Sequence, residues 1–274
     1  MDKGKLFLVA TPIGNLDEIS KRQLDVFNSV DFIACENPNN SIVLLKSINI
    51  NKKLLQINAI HEEEMSQKVI NFLLEGKNIA YISDAGYPCI SDPGYVLVNL
   101  AIANDIKIEV INGSSAMLSG LIASGIDTSK FLFYGFLSSK PGTRKNELLA
   151  LSTIKETLVL YESSHRIEET INDLKSIFNG RKICLARELT KLHEEYIRCV
   201  LSPEFTLSED QKKGEFVIII EGKKTSESSI DEKIIEKISL LVEGGLSTKS
   251  AIEYISKTEN INKNSIYNFY HKKH

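Results

Sequence analysis

The hydrophobic positions of the first 111 residues follow two alternating patterns. Short apolar runs such as KLFLVAT and NIAYIS are typical of buried strands, whereas the segments between them place apolar residues at helical spacing. Strands that alternate with helices indicate a mostly parallel sheet covered on both faces. We predict strands at residues 5–11, 31–35, 53–57, 78–83 and 106–111, and helices at 18–30, 42–47, 62–75 and 95–103.

Between residues 131 and 220, apolar runs follow one another with fewer helical segments between them. Consecutive strands with short links are typical of a mixed sheet, which indicates a second domain. We therefore expect a two-domain α/β fold, with an N-terminal domain at 1–115 and a second domain at 116–224. The predicted elements here are strands at 131–137, 157–161, 182–186, 195–200 and 215–220, and helices at 144–152 and 166–178.

The remaining residues, 225–274, are expected to form a linker and a small helical region. The segment KKTSESS at 223–229 is polar and unpatterned. Helical spacing follows, is interrupted at Gly244-Gly245, and resumes after Ser247, a candidate helix cap. Short helices joined in this way are compatible with a helix-turn-helix that contacts nucleic acid. They are equally compatible with a helical tail that packs on the main body.

Composition narrows the class of protein. Hydrophobic residues make up 42% and charged residues 25%, as in soluble globular proteins, and no apolar run is long enough for a membrane span. The four cysteines are far apart and form no CxxC pair, which favours free thiols in the cytoplasm. The net charge of −3 is low for a protein that binds nucleic acid mainly through phosphates. We expect no membrane or DNA partner, and any RNA contact requires a local basic patch.

Three polar turns follow predicted strands of the first domain: TPIGN, SDAGYPCISDPG and NGSSA. Ligands of open α/β sheets bind outside the carboxyl ends of the strands. The glycines of these turns permit close approach of the backbone, and Asp84 and Asp92 can accept hydrogen bonds from ribose hydroxyls or an amino group. That each turn is only a tight connection remains the alternative.

Several common cofactor-binding and catalytic motifs are absent from the sequence, which narrows the reactions that these turns can support. The GxxxxGK[ST] motif is absent, and the first turn has one glycine where GxGxxG has three, so ATP and NAD sites lose their main support. The sequence has no GxSxG elbow and no HExxH pair, and we predict no metal site. Two charged clusters, YESSHR at 161–166 and RELTKLHEE at 187–195, follow strands of the second domain. They are either solvated loops with mutually paired charges or groups that position a polar substrate.

Stretches distributed along nearly the whole chain resemble the tetrapyrrole methylase superfamily. Within it, they resemble the ribosomal RNA small subunit methyltransferase I family. The most specific are VATPIGNL, SDAGYPCISDPG and RELTKLHEE, and chance agreement on all three in order is not credible. Further similar stretches are the turn before SAMLSGLIASGI, FLFYGFL, YESSHR, KGEFVIIIEG and GGLSTKSA.

The resemblance implies a homodimer of two-domain subunits that bind S-adenosylmethionine in the cleft between the domains. It implies transfer of a methyl group to the ribose 2′-oxygen of a cytidine in the decoding region of small-subunit ribosomal RNA, as RNA or within the 30S particle. The residues that the resemblance places against the cofactor are Pro12, Ile13, Gly14, Ser83, Asp84, Ala85, Gly86, Ile90, Ser91, Asp92, Ser115 and Ala116.

Such a reaction needs a base for the hydroxyl proton and cations for the RNA phosphates. The charged clusters of the second domain supply the candidates. The candidate bases are Glu162, His165, Glu188 and His193. The candidate phosphate-binding residues are Arg144, Lys145, Arg166, Arg187 and Lys191.

The sequence also departs from the family pattern. Where the family has an acidic-Asp-Thr-Arg-His-Thr run after the second strand, this chain has ENPNNS at 36–41, without the Asp and the Arg. Tyr87 and Cys89 replace a small Thr and a Gly of the cofactor turn. Two other functions remain open. The acidic composition favours methylation of a small molecule such as a tetrapyrrole, and the changes at 37–40 favour a ribosome-assembly factor with little catalysis.

Overall fold

The computed structural model describes residues 2–58, 60–224, 232–259 and 261–273. The chain divides into two compact units, Met1–Gly222 and Lys223–His274. Most of the predicted linker at 223–229 lies outside the described residues. No helix in the described part of the chain is both long and apolar enough to span a membrane.

The first sheet consists of five short strands: β1 (Lys5–Val9), β2 (Phe32–Cys35), β3 (Lys53–Gln56), β4 (Ile79–Ile82) and β5 (Lys107–Ile111). All of them run parallel, in the spatial order β3-β2-β4-β1-β5, which confirms the predicted parallel sheet. β4, β1 and β5 are therefore neighbours. Because parallel strands end at the same edge, the three polar turns that follow these strands emerge side by side.

Helices cover both faces of this sheet, as the alternating pattern predicts. Phe27 and Leu45 pack on one face, and Leu73 and Leu97 pack around Tyr81 on the other. The helices are α1 (Lys21–Ser29), α2 (Pro38–Ser47), α3 (Glu62–Leu74) and α4 (Tyr95–Ala103).

The second sheet is mixed and also has five strands: β6 (Phe131–Phe136), β7 (Thr157–Ser163), β8 (Lys182–Arg187), β9 (Glu195–Val200) and β10 (Glu215–Ile220). Their order is β6-β7-β10-β8-β9, and only β6 and β7 are parallel neighbours. Glu215, at the start of β10, pairs with Ser163 at the end of β7, and the next residue pairs with Arg187 at the end of β8. Both charged clusters of the second domain therefore begin at one edge of this sheet.

Three helices pack on the second sheet: α5 (Ala116–Ala123), α6 (Pro141–Leu151) and α7 (Ile167–Ile177). Leu148 and Leu174 cover one face, and Leu121 of α5 packs on the other. The hydrophobic pattern predicts no helix in the α5 segment. Its sequence, AMLSGLIA, has no polar face to show a helical period, and Gly120 lowers its helix propensity.

Two helices begin earlier than the hydrophobic pattern predicts. α2 begins at Pro38 and not at residue 42, because the Asn37 side chain accepts a hydrogen bond from the Asn39 N–H (3.1 Å) and caps the helix. α6 begins at Pro141 and not at residue 144. Proline is favoured in the first turn of a helix, where its missing N–H is not needed. The first turns are polar, so hydrophobic periodicity could not reveal them.

The described residues of the second unit form three helices, α8 (Glu232–Glu243), α9 (Thr248–Thr258) and α10 (Lys263–Lys273). They share a small core of their own, in which Ile238, Ile252 and Ile266 are buried. The Ser247 hydroxyl accepts a hydrogen bond from the Ser250 N–H (3.2 Å), which confirms that Ser247 caps α9.

Candidate active site between the two sheets

Backbone hydrogen bonds join the turn after β1 to the turn after β4. The Thr11 N–H donates to the Gly86 carbonyl (2.8 Å), and the Gly86 N–H donates to the Thr11 carbonyl (3.1 Å). The Ser83 hydroxyl donates to the same Gly86 carbonyl (3.1 Å). Gly86 has a φ of +76°, which side-chain-bearing residues rarely adopt. These contacts make one rigid surface of PIGN and SDAG, and Thr11, which the sequence analysis did not select, is at its centre.

Tyr87 connects this surface to the turn after β5. Its hydroxyl donates to Asn112 Oδ1 (3.3 Å) and accepts from the Gly113 N–H (3.2 Å). Two residues further on, the Ser115 hydroxyl caps α5, which begins at Ala116. Tyr87 is thus a departure from the family sequence that links two of the three turns.

Carboxylates concentrate beside the turn after β4. Asp84 is exposed and accepts a hydrogen bond from Asn40 Nδ2 (2.7 Å). Partial burial, together with the charges of Glu36 and Asp84, raises the pKa of Asp92 to about 6. Burial and Asp84 also raise the pKa of Glu36. The site therefore favours a ligand with positive charge. No three His, Cys, Asp or Glu side chains in the described part of the chain are arranged to hold a metal ion.

The RELTKLHEE turn of the second domain lies directly against the PIGN turn. A Cβ atom on Gly14 would lie 2.4 Å from Lys191 Cγ and 2.9 Å from Thr190 Oγ1. Lys191 Nζ forms ion pairs with Glu188 (2.8 Å) and Glu215 (2.8 Å). The absence of a side chain at Gly14 is what permits this approach of the two domains.

The backbone of this turn is strained. Glu188 has a φ of +50° and Thr190 a φ of +68°, a region that costs about 1–3 kcal/mol for a residue with a side chain. The Thr190 hydroxyl oxygen is also buried without a hydrogen-bond partner. Strain of this kind is concentrated at functional sites. The sequence carried no signal for it, because a β-branched residue is not expected at positive φ.

Other contacts bring the remaining predicted cofactor residues to the same place. Ile13 packs against the face of the second sheet that α5 covers. Ser91 approaches β6, since a Cβ atom on Gly135 would lie 3.1 Å from Ser91 Oγ. Ile90 is about half exposed (46%). The structure thus brings the predicted cofactor residues together along the carboxyl edge of the first sheet, where it meets the second.

The four candidate bases differ in their environment. Glu162 is buried, accepts a hydrogen bond from the Thr170 hydroxyl (2.7 Å) and forms an ion pair with Arg166 (2.8 Å). Burial alone would raise the pKa of Glu188, but hydrogen bonds from Lys191 Nζ and the Glu215 N–H hold it below its ordinary value. His165 and His193 are exposed. Glu162 and Glu188 are therefore both held in ion pairs, whereas the two histidines are open to solvent.

The five candidate phosphate-binding residues already have hydrogen-bond or ion-pair partners within the protein. Arg166 donates to the Leu137 carbonyl (3.0 Å), and Arg187 forms an ion pair with Glu195 (3.1 Å). Arg144 is buried (3% exposed) and donates to Asp173 from Nε (2.7 Å). Lys145, near the same carboxylate (3.6 Å), is exposed. The prediction that Arg144 holds phosphates is therefore not favoured: its guanidinium is part of the protein interior.

The altered segment after β2 keeps its local structure. Asn37 caps α2, as an aspartate can, and Asn40 is the hydrogen-bond donor to Asp84. Asn39 is exposed and supplies no charge in place of the family's arginine. The departure therefore removes a surface cation and leaves the fold of the site intact.

The residues that form this site lie within a stretch that matches a known protein family. The sequence model described as "Tetrapyrrole (Corrin/Porphyrin) Methylases" matches residues 5–203, which include both sheets up to β9. The chain belongs to the tetrapyrrole methylase family. The resemblance stated from the sequence motifs is thereby confirmed.

Curated relatives within the tetrapyrrole methylase family are similar to the whole chain. Ribosomal RNA small subunit methyltransferase I of Halalkalibacterium halodurans is 37% identical over 99% of this chain and 96% of that protein. The protein of the same name from Buchnera aphidicola subsp. Schizaphis graminum is 41% identical over 96% of this chain and 94% of that protein. Both alignments extend far enough to include residues of the second unit.

Solved structures support the tetrapyrrole methylase fold. Diphthine synthase superposes with a TM-score of 0.59 at 15% identity, covering 80% of this chain and 89% of that chain. Uroporphyrin-III-C-methyltransferase from Thermus thermophilus has a TM-score of 0.55 at 18% identity, covering 79% and 94%. At these identities the likeness concerns the fold alone.

Proposed function

We propose that this protein is an S-adenosylmethionine-dependent methyltransferase that methylates the ribose 2′-oxygen of a cytidine in the decoding region of small-subunit ribosomal RNA. The name shared by the full-length relatives supports the RNA substrate. The observation that carries the proposal is structural. The three polar turns after β4, β1 and β5 meet at one edge, and the RELTKLHEE turn lies against the PIGN turn after β1.

The residues of this edge fit the proposed cofactor. S-adenosylmethionine supplies a methyl group that is already activated on a cationic sulfur. Gly86 leaves the backbone open to close approach, and Asp84 and Asp92 provide negative charge for a cationic ligand. We propose that the twelve predicted cofactor residues along this edge bind it. Because the methyl group is already activated and the cofactor carries no phosphate, its transfer requires neither a metal ion nor a phosphate-binding motif.

The second domain would then hold the ribose and accept its proton. As the new oxygen–carbon bond forms and the carbon–sulfur bond breaks, the hydroxyl proton passes to a base and the sulfur retains the electron pair. We propose His165 or His193 as that base, since Glu162 and Glu188 are committed to ion pairs. Most of the acceleration is expected from holding the 2′-oxygen in line with the methyl carbon.

Calorimetry and a methylation assay test the proposal. Titration with S-adenosylmethionine should show one site per chain, and 30S particles that lack the modification should accept a methyl group from it. Absence of cofactor binding would reject an enzymatic function. Binding without methylation of 30S particles would favour the assembly factor, and methylation of a tetrapyrrole in their place would favour the small-molecule enzyme.

The pKa of Asp92 leads to a pH prediction. Its carboxyl titrates at about pH 6, so it is mostly protonated at pH 5 and mostly ionised at pH 7.5. A cationic cofactor prefers the ionised form, and affinity should therefore rise with pH. We expect S-adenosylmethionine to bind about tenfold more weakly at pH 5 than at pH 7.5.

Calorimetry at both pH values measures this difference. Asp92→Asn should bind more weakly at pH 7.5 and lose most of the pH dependence, whereas Asp127→Asn, at an exposed carboxyl elsewhere, should retain it. A wild-type affinity that does not change between the two pH values would show that Asp92 does not face the cofactor.

We further propose that the protein is a cytoplasmic homodimer. The strand β6 is an edge of the second sheet and exposes Tyr134 and Phe136. Exposed apolar edges are typical of interaction surfaces. Sedimentation at micromolar concentration should give twice the mass of one chain, and Phe136→Glu should shift it towards the monomer. A wild-type monomer would contradict the proposal.

A further inference from the structure

The second unit has a concave surface that the proposed active site does not use. It lies where α9 and α10 begin and has a volume of about 570 Å³. Lys249 is exposed at its rim, and Asn264 and Tyr267 are exposed along one face of α10. The residues that line it are Thr248, Lys249, Lys263, Asn264 and Tyr267.

The charge of this surface is positive. Its five lining residues include two lysines and no carboxylate. One carboxylate, Glu253, is nearby and forms ion pairs with Lys263 (2.9 Å) and Lys257 (3.2 Å). From residue 260 to the C-terminus, the sequence contains three lysines, two histidines and no acidic residue. This distribution differs from the net charge of −3 of the whole chain.

The side chains of this surface are of the types that bind RNA with little sequence specificity. Lysines contact phosphates, asparagine binds base edges or ribose hydroxyls, and an exposed tyrosine can stack on an unpaired base. Of the two lysines here, Lys263 is paired with Glu253, whereas Lys249 forms no ion pair within the described residues. In the first unit, all five predicted phosphate-binding residues have partners within the protein, and the family's surface arginine is replaced by Asn39.

We propose that this α9–α10 surface binds the RNA substrate, with Lys249 and Lys263 on backbone phosphates and Tyr267 against an unpaired base. This inference rests on the proposed function for the identity of the RNA. Because the whole chain has a net charge of −3, an RNA contact requires a local basic patch, and this surface is one. Its role is to hold the substrate, so the cofactor site is independent of it.

Variants of the full-length protein test the proposal through binding to a fluorescent fragment of protein-free small-subunit RNA. Lys249→Ala should weaken binding about fivefold at 100 mM salt and reduce the slope of log affinity against log salt by about 1. Glu253→Gln releases two lysines from an ion pair and should strengthen binding two- to threefold. An increase of affinity cannot arise from misfolding. Lys233→Ala, on α8, is the matched control and should bind as the wild type does.

The outcomes separate this inference from the proposed function. If Lys249→Ala binds the RNA with wild-type affinity and salt slope, the surface is not an RNA site. If it loses affinity for 30S particles alone and not for protein-free RNA, the surface binds a ribosomal protein and the proposal is wrong. If the variants behave as predicted but the wild type methylates no RNA, the surface is retained and the proposed function fails. Cofactor affinity should be unchanged in all three variants.

Discussion

Gly14→Ala is expected to lower the rate of methyl transfer at least about 100-fold. The new Cβ atom would lie 2.4 Å from Lys191 Cγ, 2.9 Å from Thr190 Oγ1 and 3.2 Å from the Leu189 carbonyl oxygen. Real Cβ atoms essentially never approach other atoms as closely as the first two distances, so Lys191 and Thr190 must shift. We expect this shift to move the RELTKLHEE turn away from the PIGN turn. A displacement of about 1 Å between cofactor and acceptor is enough for a loss of this size.

Gly142→Ala is the matched control for this substitution. Gly142 is the second residue of α6, and a Cβ atom there would meet nothing within 4 Å. Alanine is also the better helix former, so this variant should retain wild-type activity and gain slightly in stability. Single-turnover methylation of 30S particles measures both variants. If Gly14→Ala stays within twofold of the wild type, the two turns do not form the site.

Arg144→Met is expected to lower the free energy of unfolding by about 3 kcal/mol. The guanidinium is buried and forms ion pairs with Asp173 (2.7 Å) and Glu169 (3.2 Å). Its removal leaves the nearly buried carboxylate of Asp173 without its main partner, which is the costly way to break a buried pair. The double variant with Asp173→Asn should recover part of the loss, because no charge is then left unpaired.

Urea unfolding of these variants also decides the role of Arg144. Lys145→Ala is the control: its side chain is 58% exposed, and its loss should change the free energy of unfolding by less than about 0.5 kcal/mol. A structural Arg144 leaves RNA affinity unchanged in the fraction that remains folded. If Arg144→Met instead kept its stability and lost affinity for RNA in a salt-dependent way, the residue would be a phosphate ligand after all.

Much of the fold could be predicted from the sequence, because strand position is encoded in short apolar runs. KLFLVAT and EFVIII are buried on both faces of their sheets, and their continuous apolar sequence is therefore typical of a buried strand. α5 could not be predicted, since its apolar residues show no helical stripe. The first turns of α2 and α6 could not be predicted either, since they contain no apolar residues that would show a helical period.

Only part of the candidate site could be predicted from the sequence. The glycines and aspartates at strand ends carried a local signal, and the structure places them along one edge. The spatial order of β4, β1 and β5, on which their meeting depends, is set by long-range packing that no single segment encodes. The burial and the ion-pair partners of charged side chains were least predictable. Charged residues such as Arg144 and Glu162 are expected at the surface, but both are buried. Arg144 forms an ion pair with Asp173, and Glu162 forms one with Arg166.

One measurement tests the central proposal most directly. 30S particles from a strain that lacks this protein are incubated with the purified protein and S-adenosylmethionine, and ribose methylation is then mapped along the small-subunit RNA. We predict that a single cytidine of the decoding region gains a 2′-O-methyl group, and that Gly14→Ala leaves it unmodified. A map that does not change, or a methyl group found on a base or at another position, would contradict the account.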